Sequence, residues 1–191
     1  MKYFLTLILL IFLVACSHTL NNSAATTNSS NIVVNENNQT VILGNSSAKL
    51  LLQAPFNEWY IPNYQNYQID SSQLSALNLA FKNKRIEIYA GTWCGESKAD
   101  LPKMLKLLKA ASVDSTHIKL IFLNNTAAQF KQSPQHEEAG KNIVRTPTYI
   151  VYHGKKEMGR IIDSPVETFE KDLLKILRNE PYRPHFYDLK L

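Results

Sequence analysis

An α/β sandwich around a mixed sheet is the fold class that this sequence predicts. Short strand-like runs alternate with helix-like repeats in the order strand, helix, strand, strand hairpin, helix. A strongly signed helix closes the series. At 191 residues, 45% hydrophobic and 19% charged, the chain suffices for one buried core with extensions and is not disordered overall. The net charge is +5, but the basic residues are dispersed and form no like-charge block. A nucleic-acid stripe gathers Lys and Arg on one face, so no nucleic-acid partner is expected. No internal repeat is visible.

The elements follow in chain order. Lys2 precedes an apolar run from Tyr3 to Ala15, broken only by Thr6. A membrane-spanning helix needs about 20 apolar residues, so this run has the shorter signal-peptide pattern. Its end, Leu13-Val14-Ala15-Cys16, resembles the bacterial lipobox, whose cysteine is lipidated and becomes the first mature residue. That likeness implies lipid on Cys16 and a chain anchored to a membrane of the cell envelope. Ser17 in place of Asp implies, by likeness to Gram-negative lipoproteins, the periplasm-facing outer membrane. An ordinary secretory signal with a chance cysteine is the other reading.

Residues 16–40, rich in Asn, Ser and Thr, bury too little apolar surface to offset ordering entropy and read as a flexible tether. Residues 41–71 read as an extension, with a short strand at 41–44 and a short helix at 47–53. Phe56, Trp59, Tyr60, Tyr64 and Tyr67 follow. These rings either line a ligand groove or pack the extension onto the main domain.

The main domain is expected over 72–180. Asp70 or Ser71 caps a helix carrying Leu74, Leu77, Ala80 and Phe81. Arg85 to Ala90 reads as a strand, and a helix begins near Cys94 with Leu101, Met104, Leu105 and Leu108 on its apolar face. Pro102 should kink that helix, because it lacks an N–H and crowds the preceding turn. His117 to Leu123 is a second strand, and Asn124 to Asn142 is polar and irregular, with or without a short helix. Thr148 to Tyr152, a turn at Gly154-Lys155, and Glu157 to Ile162 make the hairpin. In the last helix Ser164 is the expected N-cap, Pro165 the first helical residue and Glu167 the capping-box acid. Phe169, Leu173, Leu174, Ile176 and Leu177 give its apolar face, and Pro181 stops it before the tail 181–191.

Several spaced motifs resemble the thioredoxin superfamily. Trp93-Cys94-Gly95-Glu96-Ser97 resembles Trp-Cys-x-x-Cys between a strand and a helix start, and Pro102 stands eight residues after Cys94, where the family has a helix-kinking proline. Thr146-Pro147-Thr148 resembles the cis-proline loop beside the active cysteine, and Gly159 matches a glycine of the closing hairpin. The resemblance implies a thioredoxin-like domain with Cys94 as reactive thiol, Trp93 beside it, and Thr146 and Pro147 shaping a peptide-binding surface. Two positions depart from the family. Ser97 replaces the second cysteine, and Ile88 stands where many thioredoxins bury an acid.

The chain has two cysteines, one of them assigned to lipid, so Cys94 is the one free thiol and no intramolecular disulfide forms. Ser97 cannot finish a dithiol reaction, because a hydroxyl is a poor nucleophile toward sulfur. A cysteine at a helix N-terminus faces unpaired N–H groups that favour thiolate. Ser97 is expected to donate a hydrogen bond to it, Lys98 to add positive charge and Glu96 to oppose it. Cys94 is then a monothiol acting on envelope proteins or small thiols, or a relic that holds the loop. A non-enzymatic module using the same groove is the alternative. The peroxidatic pattern Pro-x-x-x-Thr-x-x-Cys fits poorly, since Gly91 stands three before Cys94. His136, near Glu137 and Glu138, is either a base for Cys94 or part of a solvated loop. The five histidines lack ligand spacing, so no metal and no other cofactor is expected. Nothing in the pattern specifies an oligomeric state.

Overall fold

The computed structural model describes residues 31–190. The leader 1–15, Cys16 and residues 17–30 of the expected tether lie outside the described residues.

The fold is α/β. Strand β1 (Ile32–Val34) pairs antiparallel with β2 (Thr40–Ile42). A main sheet of five strands contains β3 (Gly44–Asn45), β4 (Lys84–Ala90), β5 (Ile118–Phe122), β6 (Thr148–His153) and β7 (Lys156–Ile162), in the order β3-β5-β4-β6-β7. Only β4 and β5 run parallel, with Ile86 opposite Ile118 and Ala90 opposite Phe122. Parallel neighbours need a long crossover, and α3 (Gly95–Ala110) supplies it. The other helices are α1 (Asn57–Asn66), α2 (Leu74–Ala80) and α4 (Phe169–Leu177).

Alternation along β4 divides the core. Ile86, Ile88 and Ala90 face the helices, in one cluster with Leu101, Met104 and Leu108 of α3 and Phe169, Leu173 and Ile176 of α4. Tyr89 points to the other face, among Ile121, Leu123, Ile143 and Ile150. Gly159 of β7 passes close to α4, where a Cβ would lie 3.1 Å from Ile176 Cγ2.

Three expectations need correction. First, residues 31–40 are not tether. Ile32 packs against the core, and the turn after β1 closes when the backbone N–H groups of Asn37 and Gln39 donate to Asn35 Oδ1. Asparagines that read as polar linker thus serve a hairpin, with Asn38 at φ 56°, a left-handed conformation Asn tolerates. Second, the rings of 41–71 pack onto the main domain, as one of the two readings had it, but the elements of this stretch differ from those expected. Ile42, Leu51, Phe56 and Tyr60 are buried in the same cluster as α3, while Trp59, Tyr64 and Tyr67 pack half-buried against it. The expected strand at 41–44 is split between β2 and β3, and the expected helix at 47–53 is a 3-10 turn, Ala48–Leu52, capped by Ser47. Third, α4 starts at Phe169 with Thr168 as N-cap, its hydroxyl accepting from Lys171 N–H. The Ser164 capping box does not form. The buried Asp172 carboxylate instead accepts from Val166 N–H at 2.6 Å and Glu167 N–H at 3.3 Å, drawing 164–167 away from the helix axis. Glu167 pairs with Lys171 and Lys175.

Candidate functional site

The site forms where β4 hands over to α3. Gly91, Thr92 and Trp93 make the turn, tied by Cys94 N–H donating to Gly91 O. The Trp93 indole folds back over Gly91, where a Cβ would lie 2.5 Å from the ring, so only glycine fits. Trp93 Nε1–H donates to Leu123 O at 2.7 Å, and the indole lies 5.8 Å from the exposed Phe130 ring. Ile42 N–H donates to Thr92 Oγ1 at 3.3 Å, which joins the first hairpin to this turn.

Cys94 is the N-cap residue of α3, in an extended conformation. It is 8% exposed. Its sulfur lies 3.1 Å from Thr146 O and 3.1 Å from Glu96 Oε2. The Thr146–Pro147 peptide is cis. Pro147 O accepts from Asp163 N–H, and Thr148 Oγ1 donates to Arg145 O, so both sides of this loop are held.

Ionisable groups gather around Cys94 and Glu96. The Glu96 carboxyl is held below the usual carboxylate range, first by the hydrogen bond from the Cys94 thiol, then by its own N–H at the helix start and by Arg145. Asp163 is pushed above that range, first by burial and then by the charge of Glu96. Burial lowers the Lys131 ammonium, with Arg145 adding to the effect. Fully buried Tyr149 has a hydroxyl with no hydrogen-bond partner. Burial, and then the charges of Asp100, Cys94 and Asp163, raise its phenol well above its ordinary value.

Cys94, Thr146 and Pro147, distant in sequence, thus meet, with Trp93 flanking them. Ser97 differs from expectation. Its buried hydroxyl accepts from Gly91 N–H at 3.1 Å and braces the strand–helix turn rather than donating to Cys94. His136 pairs with Glu138 at 3.4 Å in an exposed loop, and no contact with Cys94 supports its role as a base. Arg145, Lys131, Asp163 and Tyr149 escaped sequence reasoning. They come from three separate segments: Lys131 from one loop, Arg145 and Tyr149 from either side of Thr146 and Pro147, and Asp163 from just past β7. No local spacing announces them. Among the described residues no group of three or more His, Cys, Asp and Glu side chains is placed to hold a metal.

No family model matches the chain, and no curated protein does. A Pseudomonas aeruginosa protein of unknown function is similar in structure at 15% identity, over 71% of this chain and 92% of that one, with a TM-score of 0.46. A likeness of that extent carries no argument about family or activity.

Proposed function

We propose that this is a lipid-anchored, thioredoxin-like protein of the bacterial envelope whose single thiol, Cys94, exchanges with disulfides of envelope proteins or with small thiols. The observation that carries this reading is the sulfur at the N-cap of α3, 3.1 Å from the carbonyl that precedes the cis Pro147 bond. The anchor rests on the leader and Cys16. No helix among the described residues is long and apolar enough to cross a membrane.

In the proposed exchange Cys94 sulfur, as thiolate, attacks one sulfur of a partner disulfide. The other partner sulfur leaves as thiolate, and a mixed disulfide remains. Ser97 has no sulfur and its oxygen is engaged with Gly91 N–H, so an external thiol must release the partner. Thr146 and Pro147 border the sulfur and offer backbone along which a partner's extended segment lies.

The near-burial of Cys94 favours a second reading, a binding module that uses the same surface without thiol chemistry. Trapping separates the two. Envelope extract is incubated with the chain, quenched in acid and resolved without reductant. Thiol exchange gives adducts that reductant dissolves and that vanish in Cys94→Ala. Partners retained equally by Cys94→Ala would replace exchange with binding.

A further inference from the structure

Tyr149 carries a hydroxyl that is shut away from solvent and has no hydrogen-bond partner among the described residues. Burying a polar group unpaired costs stability, and phenylalanine would fill the same space without that cost. Such a phenol is accounted for when a second state of the protein offers its proton an acceptor.

The fold sets where the hydroxyl lies. Tyr149 stands on β6, three residues after Thr146, whose carbonyl oxygen touches the Cys94 sulfur. It is the sheet partner of Ile88 and belongs to the cluster on the helix side, with its ring edge-on to Phe169 at 5.5 Å. The charged groups that act on the hydroxyl are Asp100, Cys94 and Asp163. The Asp100 carboxylate already takes Lys103 at 2.7 Å. Burial holds the Asp163 carboxyl toward its neutral form. Cys94 is left as the group whose charge changes when the protein reacts.

We infer that Tyr149 is a positioning residue for Cys94, whose hydroxyl is unpaired beside the neutral thiol and turns its proton toward the sulfur when the thiolate forms. The thiol proton passes to solvent and the phenol keeps its own, so no other bond forms or breaks. Burial keeps the phenol neutral far above the pH at which a free thiol ionises. A fixed dipole in a dry site stabilises developing charge strongly, because little water screens it. The charged groups divide around the sulfur. Glu96, Asp100 and ionised Asp163 oppose a thiolate, whereas Lys131, Arg145 and the unpaired N–H groups at the start of α3 favour it. His185 of the tail acts on Asp163. Tyr149 adds a neutral donor from the buried side.

The rate of Cys94 alkylation by iodoacetamide, followed against pH in the Cys16→Ser chain, tests this. Tyr149→Phe and Tyr149→Leu each remove the hydroxyl and leave a different apolar side chain. The inference rests on the reading that Cys94 reacts as a thiolate, but iodoacetamide is no disulfide, so this result and that of trapping are read separately. The expected outcome is a midpoint about one pH unit higher in both variants, which makes the reaction about tenfold slower below the midpoint. The limiting rate at high pH should be kept. Tyr89→Phe is the control. That phenol is buried on the other face of the sheet and donates to Glu87 at 2.9 Å, so its loss should leave the midpoint in place. An unmoved or lowered midpoint without the Tyr149 hydroxyl overturns the inference. A rate reduced equally at every pH does so too, since it would mean altered access to the sulfur. A rise matched by Tyr89→Phe also overturns it, because any buried phenol would then serve.

Discussion

Glu96 Oε2 and Thr146 O compete for one thiol proton at equal distances of 3.1 Å. The carboxylate lies close to the sulfur, so it repels any negative charge that develops there. At 4 Å, two unit charges interact by about 1 kcal/mol in water, and Glu96 is exposed enough for that solvent-screened value to apply. Glu96→Gln should therefore speed alkylation of Cys94 by a neutral reagent about fivefold at neutral pH, read as a second-order rate against Cys94→Ala. A slower reaction would mean that Glu96 helps by accepting the proton. Asp163 gives a pH prediction. Its carboxyl is raised by burial and by Glu96, so the folded state favours its protonated form. That contribution is fully present below the unfolded value and is lost as pH rises through the folded one. Asp163→Asn should then stabilise the protein at pH 7 and have little effect at pH 3. Asn also suits the left-handed backbone at φ 69°. Thermal unfolding at the two pH values checks both the sign and the window.

At the scale of elements, the start of α4 shows a local signal displaced by a long-range one. Ser164, Pro165 and Glu167 satisfy the sequence rules for a helix start, yet Thr168 caps the helix. The Asp172 carboxylate collects Val166 N–H, Glu167 N–H and the Tyr182 hydroxyl, and three bonds to a buried charge outweigh one capping box. Thr168→Ala should cost about 1 kcal/mol. Ser164→Ala should stay within about 0.5 kcal/mol of the parent. Urea unfolding of the two variants distinguishes the caps, and a larger loss at Ser164 would restore the capping box.

At the scale of the molecule, the first hairpin, the 3-10 turn and α1 share one apolar cluster with α3 and α4. Elements that bury one another's side chains unfold together. Leu51, fully buried on the segment before α1, is a direct probe of that unity. Leu51→Ala should remove about 2–5 kcal/mol. Far-ultraviolet circular dichroism and tryptophan fluorescence, reporting on Trp59 and Trp93, should lose stability by the same amount in a single urea transition. Separate transitions for the two probes would make residues 31–70 an independent unit.

The sequence by itself determined the α/β class, the strand at Arg85–Ala90, the helix that begins at Cys94, and the hairpin before the last helix. Each is written in local periodicity and in turn residues, which act over a few positions. It also placed Cys94 beside Thr146 and Pro147 by resemblance, a meeting that the structure displays. Only the tertiary structure decided that Ser97 braces Gly91, that Thr168 replaces Ser164 as cap, that an asparagine-rich stretch forms a hairpin, and that Lys131 and Tyr149 feel the charge of Cys94 while Arg145 and Asp163 face Glu96. The physical reason is the same in each case. A side chain with several possible hydrogen-bond partners takes the one that burial brings to it, and burial depends on residues far along the chain.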